Sequence, residues 1–374
     1  MEVLFSSTDS LIKGLFFKKK TYYNKKRKDT KMRVAFLFNV RHIYPDPNNP
    51  ASQRETDFDD PKTIEYITSH LRRCGYDVLP IEANEEAYLT LYKERKAIDV
   101  VFNYAEGIYG RDRESQIPAM LEMLQIPYTG SGPLTQSLGL HKVKAKEVAM
   151  AHHIPTLPYQ LFKTSSDEIL QELTFPLIVK PVAQGSSAGI TNKSVVQTKE
   201  ELILQIDWVI TSFHQPALVE PFLTGREFSV PMIGNPPALL PIIEADHSSL
   251  PKEYLPLDSL EVKWFLEEES PENHLRCPAP IEDLLYKKIE EICLHTWEAL
   301  EVRDWCRIDI RCDERDNPYF LELNSPPGMI PPEISTTSYF PLAARVAGME
   351  YDDLLKKIIE ITLDRSRKNH SYSF

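Results

Sequence analysis

The chain of 374 residues lacks the features typical of membrane-spanning, disulfide-bonded or nucleic-acid-binding proteins. No apolar run approaches the length of a transmembrane helix. The five cysteines form no Cys-x-x-Cys pair, and none stands near a histidine at metal-ligand spacing. This favours reduced structural thiols and a cytoplasmic location. The net charge of −12 argues against a nucleic-acid partner, and no membrane partner is expected.

The first 31 residues differ in composition from the rest, with nine Lys or Arg against three acids. The apolar run Leu15-Phe16-Phe17 is too short for the core of a signal peptide, and no small-residue cleavage site follows it. A targeting arm or a membrane-surface tail would have this composition. Because a buried strand begins directly at Met32, we instead expect Met32 to be the true start. Residues 1–31 are then disordered or not translated.

From residue 32 the hydrophobic pattern alternates between strand and helix and predicts an α/β fold. We expect an N-terminal domain over 32–130 with a parallel sheet, a second unit over 131–215, and a third over 216–374 that is strand-rich at first. Strands are predicted over 33–39, 78–81, 98–103, 175–182, 217–223, 227–233 and 238–244, with a hairpin over 305–324. Helices are predicted over 61–74, 115–124, 142–152 and 281–300. Two further helices are predicted, one that begins at the capping box over 198–201 and one that begins at about residue 351.

The predicted hairpin carries the most informative residues. Alternation puts Arg307 and Asp309 on one face of the first strand, and Glu322 and Asn324 on one face of the second. If both faces lie on the same side of the sheet, two carboxylates and an amide converge beside an arginine, which suits Mg²⁺ with nucleotide phosphates. A solvated polar face would alternate in the same way. The rigid Ser-Pro-Pro-Gly loop after Asn324 favours the functional interpretation.

A second segment places Lys180 inside an apolar strand, followed by the turn Gly185-Ser186-Ser187. Backbone N–H groups and hydroxyls in such a turn can surround phosphates. The Gly-Lys-Ser/Thr order of a P-loop is absent, and a plain β-turn would have the same composition. A buried ammonium needs an anionic partner, which favours the phosphate site.

A third segment contains Glu220, followed by short apolar residues, and then Glu227. These acids would suit the edge of an adenine and a ribose hydroxyl. An edge strand with solvated acids would look the same.

Taken in order, these segments resemble the ATP-grasp family, specifically the D-alanine–D-alanine ligases. The resemblance covers nearly all of 32–364 and includes Ile-Pro-Tyr-Thr-Gly-Ser-Gly at 126–132, the following Lys142, and 341–348. Single motifs are weak, but five in this order with fitting separations are specific. The resemblance implies a central lid domain, an antiparallel C-terminal sheet domain and a nucleotide between the two. It also favours a homodimer.

The resemblance further implies a role for each matching residue. ATP would be bound by Lys142, Lys180, Gly185, Ser186, Ser187, Glu220, Phe222, Leu223, Glu227, Lys263 and Leu321. Two Mg²⁺ ions, for which Mn²⁺ could substitute, would be bound by Asp309, Glu322 and Asn324. The residues implied to act in catalysis are Arg307, Ser186, Lys263 and Gly328.

The implied reaction begins with attack of an amino acid's carboxylate on the γ-phosphorus of ATP, which gives an acyl phosphate and ADP. A second amino acid's amine then attacks the acyl carbon. The favoured hypothesis is D-alanine–D-alanine ligation for peptidoglycan synthesis. One alternative is the same mechanism acting on other amino acids or a small peptide. Another is a non-catalytic nucleotide-binding regulator, which the complete set of catalytic residues disfavours.

Three departures from the family fall on amino-acid recognition. The family's glutamate near the start of its first helix is replaced by a longer loop over 41–60, where Asp60 or Asp59 would substitute. Lys263 is followed by Trp264 where the family commonly has tyrosine, and an indole donates a hydrogen bond but cannot accept one. The loop after Gly328 is also longer, and there Ser338 is the expected contact for the second substrate's carboxylate.

Overall fold

The computed structural model describes residues 31–266 and 274–369. The prediction of a disordered or untranslated tail therefore lies outside the described residues, except for Lys31. No helix within these ranges is long and apolar enough to cross a membrane.

The N-terminal part is a parallel sheet of three strands in the order β2-β1-β3. β1 is Arg33–Phe38, β2 is Asp77–Glu82 and β3 is Val100–Asn103. The helices here are α1 (Pro61–Arg73), α2 (Ala87–Glu94) and α3 (Gln116–Leu124). All were predicted except α2, which buries only Ala87 and Leu91. Because its outer face exposes Tyr88, Leu89 and Tyr92, no clear helical period shows in the sequence.

The central part is an antiparallel sheet in the order β4-β7-β5-β6. Its strands are β4 (Gln160–Phe162), β5 (Leu177–Pro181), β6 (Val195–Val196) and β7 (Ala217–Pro221). Its helices and those that lead into it are α4 (Pro133–Leu140), α5 (Lys142–Ala151) and α6 (Lys199–Phe213). Since β7 pairs with both β4 and β5, this sheet extends past the domain boundary expected at 215/216.

The C-terminal part is a second antiparallel sheet, with β11-β10-β8-β12-β13 in order and β9 paired to β8. Its strands are β8 (Glu227–Ile233), β9 (Ala238–Leu239), β10 (Ile243–Ala245), β11 (Leu275–Arg276), β12 (Trp305–Cys312) and β13 (Pro318–Asn324). In the described ranges its helices are α7 (Asp283–Ala299), α8 (Tyr339–Val346) and α9 (Tyr351–Asn369). The α/β fold with a parallel N-terminal and an antiparallel C-terminal sheet is thus confirmed.

The single strand predicted over 238–244 was wrong, because β9 and β10 are separate strands. Pro241 lies between them and has no N–H to donate to a neighbouring strand.

One hydrophobic core joins the first and last parts of the described chain. Phe36 on β1 packs in the same buried cluster as Phe340 of α8 and Ile358 of α9. The C-terminal helices therefore cover one face of the N-terminal sheet.

A buried carboxylate, Asp304, ties the same parts together by hydrogen bonds. It is 0% exposed and accepts from the Gly130 N–H at 2.9 Å, Asn235 Nδ2 at 2.7 Å and Thr362 Oγ1 at 2.9 Å. Arg365 of α9 donates to both of its oxygens at 2.8 Å. A single acid thus connects the loop after α3, the turn after β8 and the last helix.

Replacing Asp304 with alanine should lower the free energy of unfolding by about 3–5 kcal/mol, because Arg365 would be left buried without its partner. Urea denaturation measures this change. The matched control is Asp364→Ala, whose exposed side chain pairs with Arg367 at the surface, and it should change stability by less than about 0.5 kcal/mol. Equal effects of the two substitutions would contradict a special role for Asp304.

Candidate active site

A cavity lies between the central and C-terminal sheets, and all of the residues expected to bind a nucleotide line it. Lysines and acids occupy one part of its wall, and apolar side chains occupy another. The sequence-predicted residues that line the cavity are Lys142, Lys180, Gly185, Ser186, Ser187, Glu220, Phe222, Leu223, Glu227, Lys263, Asp309, Leu321 and Glu322.

The hairpin β12–β13 brings its polar residues to one side of the sheet. Arg307 lies opposite Asn324, and Asp309 lies opposite Glu322. Arg307 donates to both oxygens of Asp309 at 2.8 Å, and Asn324 Nδ2 donates to the same carboxylate at 2.9 Å. The expected convergence of two carboxylates and an amide beside an arginine is present.

The side chains of this hairpin suit a small divalent cation. Within the part of the chain that the structure describes, there is no cluster of three or more His, Cys, Asp or Glu side chains arranged for a metal ion. Mg²⁺ needs fewer protein ligands, since one or two carboxylates with phosphate oxygens and waters satisfy it. Asp309 and Glu322, with the amide of Asn324, fit that requirement.

Lys142 holds Glu322 in this arrangement. Its Nζ lies 2.9 Å from Glu322 Oε2 and donates to the Gln184 carbonyl at 2.8 Å. Burial alone would raise the pKa of Glu322, but the charge and hydrogen bond of Lys142 lower it to about 2. Glu322 is therefore ionised at neutral pH, as a metal ligand must be.

Lys180 and Glu220, both expected from the sequence, pair with each other. Lys180 Nζ lies 2.7 Å from Glu220 Oε1. Lys146, which the sequence analysis missed, lies 2.9 Å from Glu220 Oε2. Its signal was its position four residues after Lys142, which puts both on one face of α5. Burial favours a higher pKa for Glu220, but Lys146 and Lys180 lower it to about 2.

The Gly/Ser turn has the strained backbone of a tight loop. Ser186 and Ser187 have φ values of 47° and 60°, in the left-handed region that few side chains adopt. Ser187 Oγ donates to the Asp258 carbonyl at 2.7 Å, and Trp264 Nε1 donates to the Ser186 carbonyl at 3.3 Å. The carboxylate of Asp258 lies 3.9 Å from Lys263 Nζ, a pairing that the sequence did not indicate.

The loop over 41–60 packs directly on this turn. Gln53 Oε1 accepts from the Gly189 N–H at 2.8 Å, and Asp57 pairs with Arg113 at 2.6 Å. A Cβ on Gly185 would lie 2.4 Å from Asp57 Oδ1, so a larger residue here would displace the Asp57 carboxylate. The loop that departs most from the expected family pattern is thus in contact with the Gly/Ser turn.

The guanidinium of Arg41, in the same loop, lies over the Trp264 ring at 4.4 Å. Loop 41–60 therefore also contacts the segment that carries Lys263.

Asp60 and Ser338, which were expected to contact amino acids, accept hydrogen bonds from backbone N–H groups of the protein itself. Asp60 caps α1 by accepting from the Lys62 N–H at 2.9 Å and also accepts from Tyr44. Ser338 Oγ accepts from the Ile330 N–H at 3.2 Å. Gly328 is exposed, and the next N–H, of Met329, donates to the Tyr104 hydroxyl at 2.8 Å. The substrate roles of Asp60, Ser338, Trp264 and Gly328 stay predictions.

A cleft between two antiparallel sheets, lined by several lysines and acids, is typical of the ATP-grasp class of enzymes. Two structures of D-alanine–D-alanine ligase from Bacillus anthracis share this fold. The structure of the complex with ATP has a TM-score of 0.66 and covers 91% of this chain. The other structure has a TM-score of 0.67 and covers 90% of this chain, and both are 23% identical in sequence.

Residues 135–360 match the family model described as D-ala D-ala ligase C-terminus. D-alanine–D-alanine ligases from Carboxydothermus hydrogenoformans and Pelotomaculum thermopropionicum are 34% and 31% identical to this chain. The alignments cover 85% and 84% of this chain, and 97% and 94% of theirs. An uncharacterized protein y4sG of Sinorhizobium fredii is 32% identical over 85% of this chain and 90% of its own. The chain belongs to the D-alanine–D-alanine ligase family, and it is an ATP-dependent ligase that forms a peptide bond.

The buried carboxyl group of Asp59, in loop 41–60, has a raised pKa that can be tested by measuring stability against pH. Its side chain is only 9% exposed, and burial raises its pKa to about 7, with Arg41 opposing the rise. An acid with a raised folded-state pKa reduces stability as the pH increases from about 4 to 7.

Asp59→Asn should therefore increase stability at pH 8 by as much as about 4 kcal/mol, with little gain at pH 4. The gain should grow across that window and stay constant above it. Denaturation of both proteins at several pH values measures the difference. Asp60→Asn, which keeps a good helix cap, is the control and should show no gain with pH. Parallel curves for wild type and Asp59→Asn would contradict the raised pKa.

Proposed function

We propose that this enzyme joins two D-alanine molecules, converting ATP to ADP and phosphate, to supply D-Ala-D-Ala for peptidoglycan. The observation that carries the ligase chemistry is the set Arg307, Asp309, Asn324 and Glu322 beside the lysine-lined cavity. D-alanine as both substrates is supported by the names of relatives that are 31% and 34% identical over most of the chain. Action in the cytoplasm and assembly as a homodimer stay predictions.

The first step needs positive charge around the transferred phosphoryl group. Lys142, Lys180 and Lys263 line the cavity and would offset the charge of the phosphate oxygens while the substrate carboxylate attacks. The turn that contains Ser186 would cover the phosphates with N–H groups and hydroxyls.

Asp309, Glu322 and Asn324 would hold Mg²⁺, or Mn²⁺ in its place. Bound there, the metal would draw charge from the phosphate oxygens and align them. Arg307 keeps the Asp309 carboxylate oriented toward that position through its two hydrogen bonds.

The second step needs hydrogen-bond donors at the acyl carbon, where negative charge develops as the second amine attacks. Arg307 and the Gly328 N–H would supply these donors. Water must be kept away, because it would hydrolyse the acyl phosphate. The contacts of Gln53 and Asp57 with the Gly/Ser turn and its neighbours would help to keep the site closed.

A ligase of the same mechanism that joins other amino acids or a small peptide is the second candidate. The 41–60 loop favours it, because Asp60 is already engaged as a helix cap and Arg41 lies over Trp264. These differences fall where an amino acid would be recognised, whereas the residues expected to bind the nucleotide all line the cavity.

The function is tested by measuring ADP release with Mg²⁺-ATP across D- and L-amino acids, singly and in pairs, with the product mass determined. Turnover that requires D-alanine and yields the dipeptide is the expected result. Turnover with a different pair would support the second candidate. Tight ATP binding with no turnover for any pair would contradict simple amino-acid ligation.

Arg307→Met should reduce kcat by about 10²–10³-fold, because it removes a donor that stabilises developing negative charge. The same ADP-release assay at saturating substrates measures this, together with a check that the variant is folded. Arg72→Met, on the exposed side of α1, is the control and should keep wild-type activity. An increase in the KM for ATP with an unchanged kcat would place Arg307 outside the acyl-transfer step.

A further inference from the structure

Lys146 is a buried lysine in the cavity wall that the proposed reaction does not use. It is 1% exposed, and its Nζ lies 2.9 Å from Glu220 Oε2 and 2.9 Å from Thr156 Oγ1. Thr156 in turn donates to the Phe320 carbonyl on β13 at 3.0 Å. Because the Lys146 side chain is enclosed in this way, its ammonium cannot easily turn toward a bound ligand and stays beside Glu220 and Thr156.

Lys142 and Lys146 stand one turn apart on α5 and serve two ends of the cavity. Lys142 contacts Glu322, beside the expected metal position. Lys146 contacts Glu220, which shares the cavity wall with apolar side chains of both sheets, among them Leu218 and Leu321. A flat ring fits between such apolar walls, which makes this the end for the nucleobase.

We infer that Lys146 is a positioning residue, which fixes the Glu220 carboxylate as a hydrogen-bond acceptor for the exocyclic amino group of the nucleobase. The inference rests on the proposed nucleotide site and is independent of which amino acids are joined. Each carboxylate oxygen has two lone-pair sites, so Glu220 can accept another hydrogen bond while both lysines are in place.

The ionised carboxylate of Glu220 can only accept hydrogen bonds, so it discriminates between nucleobases by the group that they present to it. A 6-amino purine presents a donor to the carboxylate, whereas a 6-oxo purine presents an oxygen that it would repel. A site with buried polar groups rejects a ligand that leaves them unpaired. Glu220 would therefore favour ATP over GTP as long as it stays charged and oriented.

Lys180 alone does not provide this orientation, because its ammonium is also expected to contact phosphate. When Lys180 turns toward the nucleotide, Lys146 remains beside Glu220. The low pKa of Glu220 agrees with a carboxylate between two ammonium groups, and burial lowers the pKa of Lys146 without separating the pair.

The test compares Lys146→Met and Lys146→Arg with wild type. ATP and GTP binding are measured by calorimetry without amino acids, and the KM for each nucleotide is measured by ADP or GDP release. Lys146→Met should weaken ATP binding about 10–100-fold, the loss expected for a charge-assisted hydrogen bond. It should also reduce the preference for ATP over GTP. The KM for the amino acids should stay within about twofold, and Lys146→Arg should restore part of the preference.

Lys144→Met is the matched control, because Lys144 lies on the same helix but pairs with Glu147 at the surface. It should leave nucleotide binding unchanged.

A double-variant cycle with Glu220→Gln separates positioning from simple structural support. If Lys146 acts through Glu220, then Lys146→Met should add no further loss of ATP preference in the Glu220→Gln background. An equal loss in both backgrounds, or an unchanged ATP preference in Lys146→Met, would overturn the inference.

If Lys146→Met does not fold, Glu220→Gln and Lys146→Arg decide the question. An unchanged ATP preference in Glu220→Gln would then overturn the inference. Because binding is measured without amino acids, failure of D-alanine ligation would not be confused with failure here.

Discussion

The cavity depends on the neutralisation of lysines that the fold has removed from water. Lys142 is 7% exposed and Lys146 is 1% exposed, and each lies against a carboxylate. An ammonium buried without such a partner would lose its charge or destabilise the fold. The carboxylates Glu322 and Glu220 stand on strands of different sheets, so these ion pairs also hold the walls of the cavity together.

The two halves of the proposed site are built differently, one from helices and strands and the other from a loop. The nucleotide half is built from α5, the central sheet and the β12–β13 hairpin, where regular elements place the charges. The half where we propose that amino acids bind is bounded by loop 41–60, which contacts the Gly/Ser turn region through Gln53 and Trp264 through Arg41. Because loops vary more readily than sheets, changes of substrate would fall on the second half.

Much of the fold was predictable because its pattern is local. β1 stands out in the sequence as a near-continuous apolar run and β12 as an alternating one, and α1 begins at the Asp-Pro pair that predicts it. Helix α2 was missed because its exposed face is aromatic, and the 238–244 strand was wrong because one proline interrupts it. These failures occurred where a local pattern was obscured or where one residue overrode it.

The sequence by itself determined which residues share a face. Side chains alternate along a strand, so Arg307 and Asp309 had to lie together, and helical spacing put Lys146 beneath Lys142. Only the tertiary structure decided that Lys146 meets Glu220 and that Asp57 meets Arg113. Those pairs join segments far apart in the chain, and their meeting depends on how whole sheets and loops pack, which no local period encodes.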